Sequence, residues 1–399
     1  MITSRRLNSP VVTMAVTLPA TIAFVVLRWN DAAQRKLSRF VVAGSNYAQP
    51  DRVPKGLFVG SDNGYDGQFY YRLALDPFDL NRTAFGIRLD SYSRVERMGY
   101  PFLAWLVSLG QHSHVFLTLV IVNVVAAAVL GLAGGLLAQS AGRHALWGLV
   151  FPLYWGYLWT LGRDLTELTA AALVILGVAA LVRNRYLLAG IIFLGAVVSK
   201  ETSVLFIGVL ALATLWVRLR QSETVQLPLS ADTGRSFSPL QLRRNDVAWI
   251  LPLVGFVLWQ LVLLAATGHL PIYKSGGENL GAPFLGFVRG FRHYLHLLPH
   301  TSALLWFGEL GVLIIVSLTA AKFGTKAPFE FRVMWVISLI LGVCTATGIW
   351  LGDVGFRSLD DIYLFGWVVL LFHPSRLAPL VVICTGAWVV VFVELVRYV

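Results

Sequence analysis

HVFLTLVIVNVVAAAVLGLAGGLLA, His114 to Ala138, contains no Asp, Glu, Lys or Arg. A helix needs about 20 apolar residues to cross a hydrocarbon core of about 30 Å, so this stretch reads as a membrane span. Similar runs recur on both sides: Pro10 to Leu27, Ala145 to Leu161, Leu165 to Val182, Tyr186 to Ser199, Ser203 to Val217, Val247 to Thr267, Ser302 to Ala321, Phe331 to Leu351, Ile362 to Phe372 and Leu377 to Leu395. The 399 residues are 57% hydrophobic and 13% charged, against roughly a quarter charged in soluble domains. The expected fold class is therefore all-α, one polytopic transmembrane bundle of about eleven spans.

The formal net charge of +11 is of the sign that nucleic-acid binding needs, but the basic residues are dispersed through inter-helix loops without a reading motif. Topology accounts for them better. With the N-terminus inside, Arg143, Arg183, Arg185, the loop 218–246, Lys322, Lys326, His373 and Arg376 all fall on the cytoplasmic side, as short basic loops do. The long segment 29–113 is then external, and long loops translocate regardless of charge. The implied location is a plasma or inner membrane, with the working face external or periplasmic. Arg5 and Arg6 precede an apolar stretch that has no small-residue cleavage site, so it reads as a retained first span. Cys344 and Cys384 lie in apolar helices and form neither a disulfide framework nor a ligand set.

Segment 29–113 mixes acidic and basic residues with Trp, Tyr and Phe, which suits a folded or half-buried surface. Gln68 to Leu75 and Tyr100 to Leu109 show helical spacing and are expected to lie in the interface with apolar faces toward lipid, Pro101 fitting a first helical turn. No internal repeat appears, and no matched pair of Gly/Pro-broken spans of the kind secondary transporters carry.

Chemistry concentrates at Ser61-Asp62-Asn63-Gly64-Tyr65-Asp66-Gly67-Gln68-Phe69-Tyr70-Tyr71. Gly64 and Gly67 flank Asp66, so the backbone can present its carboxylate at the start of a helix. Asp66 is either a reactive carboxylate or a helix cap. Asp62, four residues earlier, either shares a Mg²⁺ or Mn²⁺ ion with Asp66 or stabilises a turn.

A second group is Arg163-Asp164-Leu165-Thr166-Glu167: Arg163 either grips a lipid phosphate or snorkels beside Glu167. A third is Ser199-Lys200-Glu201-Thr202, between two apolar runs that look too short to cross. If the hairpin ends short, Lys200 and Glu201 are recessed, with Lys200 on a phosphate and Glu201 orienting it; the alternative is a plain ion pair. Arg357 stands at the mouth of two spans with Asp353, Asp360 and Asp361 nearby in sequence. Tyr273, Lys274, Arg289, Arg292, His293 and His296 are weaker candidates, His293 reading as an interfacial aromatic. No zinc spacing occurs.

The Tyr-Asp-Gly-Gln-Phe-Tyr string, in a large loop after the first span, resembles first-loop sequences of the C-type integral-membrane glycosyltransferases. The resemblance implies a polyprenyl-phosphate or dolichyl-phosphate sugar donor, a glycan, lipid or protein acceptor, and Asp66 as catalytic base. Arg163, Lys200 and Arg357 would hold the donor phosphate, with Asp62, Asp164, Glu167, Glu201, Gln68 and Tyr70 in support. The loop has no Asp-x-Asp pair, which leaves metal dependence open. The rival readings are a transporter or lipid-linked-sugar flippase, and a non-catalytic subunit of an envelope complex.

Overall fold

The structure is a computed structural model that describes residues 7–224, 244–352, 354–373 and 377–397. It is nearly all helical. In chain order the α-helices are α1 (Pro10–Asn30), α2 (Gly67–Leu75), α3 (Ser93–Glu96), α4 (Gly99–Val107), α5 (Val115–Ser140), α6 (Gly156–Gly162), α7 (Glu167–Val182), α8 (Tyr186–Ser199) and α9 (Ser203–Thr224). They continue with α10 (Val247–Thr267), α11 (Pro271–Asn279), α12 (Leu285–His296), α13 (Thr301–Phe323), α14 (Phe329–Val343), α15 (Thr347–Gly352), α16 (Asp360–Leu371) and α17 (Ala378–Arg397). Among the described residues, six helical segments are long and apolar enough to cross a membrane: Pro10–Asn30, His112–Ser140, Ser203–Arg220, Val247–Thr267, Thr301–Lys326 and Ala378–Arg397. This is a membrane protein.

Several expected spans are shorter or broken. The run from Ala145 to Leu161 is not one helix: a 3₁₀ segment, Ala145–Val150, is separated from α6 by a turn around Pro152. Proline removes a backbone donor and disfavours helical geometry in the residue before it. The run from Phe331 to Leu351 also divides, into α14 and α15. The break at Thr345 is stitched to Leu280 by a β-bridge. α8 has 14 residues and α16 has 12, reaching roughly 21 and 18 Å at about 1.5 Å per residue. They end inside the bundle, at the level where the charged residues gather.

Helices in lipid gain nothing from hydrophobic burial against one another, so close backbone approach through small residues holds them. α1 lies on α5 in this way. Gly131 and Gly135 sit one turn apart facing Thr13, Thr17 and Pro10, and Thr13 donates to the Gly131 carbonyl at 2.7 Å. Gly134 makes the matching approach to Gly148 of the 3₁₀ segment.

Segment 29–113 folds over one end of the bundle. Two small ladders knit it: Ala43–Gly44 with Val59–Gly60 in parallel, and Thr83–Ala84 with Ile87–Arg88 antiparallel. α4 exposes Phe102, Leu103, Leu106 and Val107 while burying Tyr100 and Ala104. α2 departs from the expected lipid-facing helix: all of its residues are buried in protein, so it is a core helix of the segment. Its aromatics pack inward, Tyr71 stacking on Phe116 of α5 with ring centroids 4.6 Å apart.

Candidate functional site

Asp66 occupies the residue before α2 in helical geometry, and its side chain caps nothing. The carboxylate instead turns to arginines: Arg94 Nη1 lies 2.9 Å and Arg357 Nη2 3.0 Å from Oδ2. Burial alone would raise the Asp66 pKa, but Arg94, then Arg357 and Arg97, outweigh it and hold the carboxyl at about 2.

The approach depends on Gly67. A Cβ there would fall on the Arg163 carbonyl oxygen and lie 2.8 Å from that of Val41. Gly67→Ala is therefore expected to displace Asp66 from Arg357 and destabilise the protein by about 2 kcal/mol or more, checked by melting temperature and by loss of activity. Gly64, at φ +63, makes a similar backbone approach to Gly44 and Val42.

Each arginine has a second anchor. Asp90 grips Arg94 with both oxygens, at 3.0 and 2.8 Å. Arg357 bonds Glu167 and donates to the Tyr65 hydroxyl at 3.2 Å. Arg97 makes a two-pronged pair with Glu201, at 2.7 and 2.6 Å, and donates to the Tyr70 hydroxyl at 3.3 Å. For Glu201, burial pushes the pKa up while Arg97 pulls it below the usual range, and Arg97 prevails. Lys200, where the chain turns from α8 into α9, contacts Asp360 at 2.7 Å and Asp361 at 3.4 Å. Burial would lower the Lys200 pKa, but Asp360 and Asp361 raise it, so the ammonium stays charged.

Arg97, Glu167, Lys200, Glu201 and Asp361 line a cavity of about 270 Å³. Leu205, Phe206, Ile272, Leu341 and Ile362 form its apolar walls, between α9, α11, α14 and α16. A mostly apolar cavity that also carries a few charged side chains suits an amphiphile with an ionic head.

Asp66, Arg357 and Glu167 thus form one bonded set, Glu201 and Tyr70 meet on Arg97, and Lys200 pairs with Asp360 and Asp361; Glu167, Glu201 and Lys200 bring a member of each set to the same cavity. Four expectations change in detail. Glu201 does not orient Lys200; it holds Arg97. Arg163 does not pair with Glu167; its guanidinium stacks over Tyr65 at 4.7 Å and Trp159 at 4.6 Å. Asp164 lies outside the cavity lining, at φ +51, fully buried. Burial raises its pKa well above the usual carboxylate value, against the opposing pull of Arg28. Gln68 braces the loop, accepting from Gly44 N–H at 3.1 Å and donating to the Asn63 carbonyl at 2.9 Å.

Asp62 takes the turn role, its Oδ1 accepting from Gly64 N–H at 3.0 Å. With Asp66 engaged by arginines and Asp62 in a turn, the pair does not fit a Mg²⁺ or Mn²⁺ site. Among the described residues no group of three or more His, Cys, Asp or Glu side chains is arranged to hold a metal. Asp353 and the Lys274 side chain lie outside the described residues. Tyr273, Arg289, Arg292, His293 and His296 stand on α11 and α12, none of them lining this cavity.

Arg94 and Arg97 escaped the sequence reading. They sit among ten basic residues in segment 29–113, and the one usable signal was their spacing of three in Ser93-Arg94-Val95-Glu96-Arg97, which puts both on one side of a helical turn. Comparison with protein-family models, with curated proteins and with solved structures returns no match.

Proposed function

We propose that the protein is a membrane glycosyltransferase that takes a sugar from a polyprenyl-phosphate donor and passes it to a hydroxyl acceptor at the external face. The observation that carries this reading is the cavity itself: a mostly apolar space whose lining residue Glu167 bonds the Arg357 that pairs with Asp66. In this reading the chain crosses the membrane about eleven times, counting with the six long spans the short helices α7, α8 and α16 and the broken runs from Ala145 to Leu161 and from Phe331 to Leu351, and segment 29–113 caps the outer side.

The lipid tail lies between α9 and α14, and the donor phosphate meets Lys200, Arg97 and Arg357. The acceptor oxygen attacks the anomeric carbon, the bond from that carbon to the phosphate oxygen breaks, and Asp66 takes the acceptor proton. Polyprenyl phosphate leaves with its charge neutralised by the same cations. A carboxylate at about 2 is always ionised at neutral pH but is a weak base. A phosphate that draws Arg357 toward itself loosens one of the two pairs on Asp66 and raises its basicity as the donor arrives.

A lipid-linked-sugar flippase would use the same cavity, so the test must separate bond formation from movement. Purified full-length protein is incubated with labelled polyprenyl-phosphate sugars and hydroxyl acceptors. Labelled acceptor is the expected product. Sugar that crosses a bilayer without changing its linkage would replace this proposal with transport.

A further inference from the structure

A second pocket, of about 680 Å³, opens where α1 ends and α5 begins, and shares no lining residue with the cavity described above. Its size falls within the about 300 to 1,000 Å³ usual for ligand sites. Trp29, Arg35, Lys36, Phe58, Phe116 and Leu117 line it. We propose that this pocket binds the phosphate headgroup of an anionic phospholipid from the surrounding bilayer.

Position argues for a lipid. Trp29 lies at the end of the span Pro10–Asn30, and Leu117 lies in the first turns of the span His112–Ser140. Leu27 and Leu117 are 42% and 46% exposed on those helices, so the pocket's lower edge continues into surface that faces acyl chains. Tryptophan beside basic residues at a span end is the composition of a headgroup-level surface.

Chemistry argues for an anion. Arg35 and Lys36 are exposed, and among the described residues no carboxylate pairs with either. Arg39 adds a third cation, its guanidinium 4.1 Å from the Phe58 ring centroid, and Lys55 a fourth beside Gly56. Asp31 is the carboxylate of this turn, and it accepts from Asn30 at 3.4 Å.

The backbone is committed to the arrangement. Gln34 and Arg35 both adopt left-handed φ, +49 and +60, which non-glycine residues hold only when surroundings impose it. Arg35 N–H bonds the Trp29 carbonyl at 2.7 Å, and its Nε donates to Asn30 Oδ1 at 3.1 Å. The turn folds back on the helix end, so both cations project at headgroup level.

The test is native mass spectrometry of the full chain in detergent with added phosphatidylglycerol, phosphatidylcholine or inorganic phosphate. One phosphatidylglycerol should be retained about tenfold over phosphatidylcholine, given that each basic residue at an anionic surface contributes roughly fivefold. The double variant Arg35→Gln/Lys36→Gln should lose that preference, and Lys322→Gln, an exposed cation on α13, should keep it. Inorganic phosphate in excess should not displace the lipid. Equal retention of both lipids, an undiminished preference in the double variant, the same loss in Lys322→Gln, or displacement by free phosphate would each overturn the proposal.

Discussion

Asp66→Asn is expected to reduce sugar transfer by about 10²- to 10⁴-fold, the usual contribution of a positioned base, while the protein remains folded. The fold survives because neither arginine loses its last anchor: Arg94 keeps Asp90 and Arg357 keeps Glu167. Asparagine also preserves the volume and the contact at Gly67. The donor KM should not rise, since Asp66 faces the acceptor and its neutralisation leaves Arg357 freer to join Lys200 and Arg97 on the phosphate.

The same substitution has a pH signature in stability. The folded Asp66 carboxyl is depressed to about 2, below its unfolded value, so its contribution is complete above about pH 4 and is lost as pH falls toward 2. Linkage makes that contribution roughly 2 kcal/mol. The melting-temperature gap between the parent protein and Asp66→Asn should therefore be flat from neutral pH to about 5 and narrow on further acidification. A gap independent of pH would mean that the two arginines do not act on Asp66 as the distances imply.

The second large effect is expected at Lys200. Lys200→Met leaves the buried Asp360 and its neighbour Asp361 without their cation. Breaking a buried pair from one side costs about 3 to 5 kcal/mol. Adding Asp360→Asn should recover part of the lost stability, because it removes one of the stranded charges. The donor KM should stay raised in the double variant, since the phosphate has still lost its ammonium. If stability and KM recover together, Lys200 serves the fold alone.

Much of this arrangement was legible in the chain, and the reasons differ by residue. Val247 to Thr267 and Tyr186 to Ser199 were placed to the residue because apolar runs bounded by polar ones leave little latitude. Asp66 stood out because two glycines bracket it, and Gly67 is required by the Arg163 and Val41 carbonyls. Lys200 and Arg357 were visible as ionisable groups beside apolar runs, where such groups are costly.

What could not be read was pairing. Lys200 was set beside its neighbour Glu201, yet its partners come from α16, 160 and 161 residues away. Arg97 likewise pairs with Glu201 across 104 positions, and Arg357 with Asp66 across 291. Local spacing carries no record of such closures. The lipid-facing assignment of α2 failed for a related reason: its helical period marked an apolar face, but segment 29–113 supplies enough protein to bury the whole helix.

The most direct measurement is a cryo-electron-microscopy map of the full chain with polyprenyl phosphate bound. The phosphate is expected within hydrogen-bond distance of Lys200 and Arg97, with the chain running between α9 and α14 and Asp66 open to the acceptor side. A phosphate bound elsewhere, or a cavity that stays closed to the lipid while the Arg357–Asp66 and Lys200–Asp360 pairs remain intact, would contradict the account.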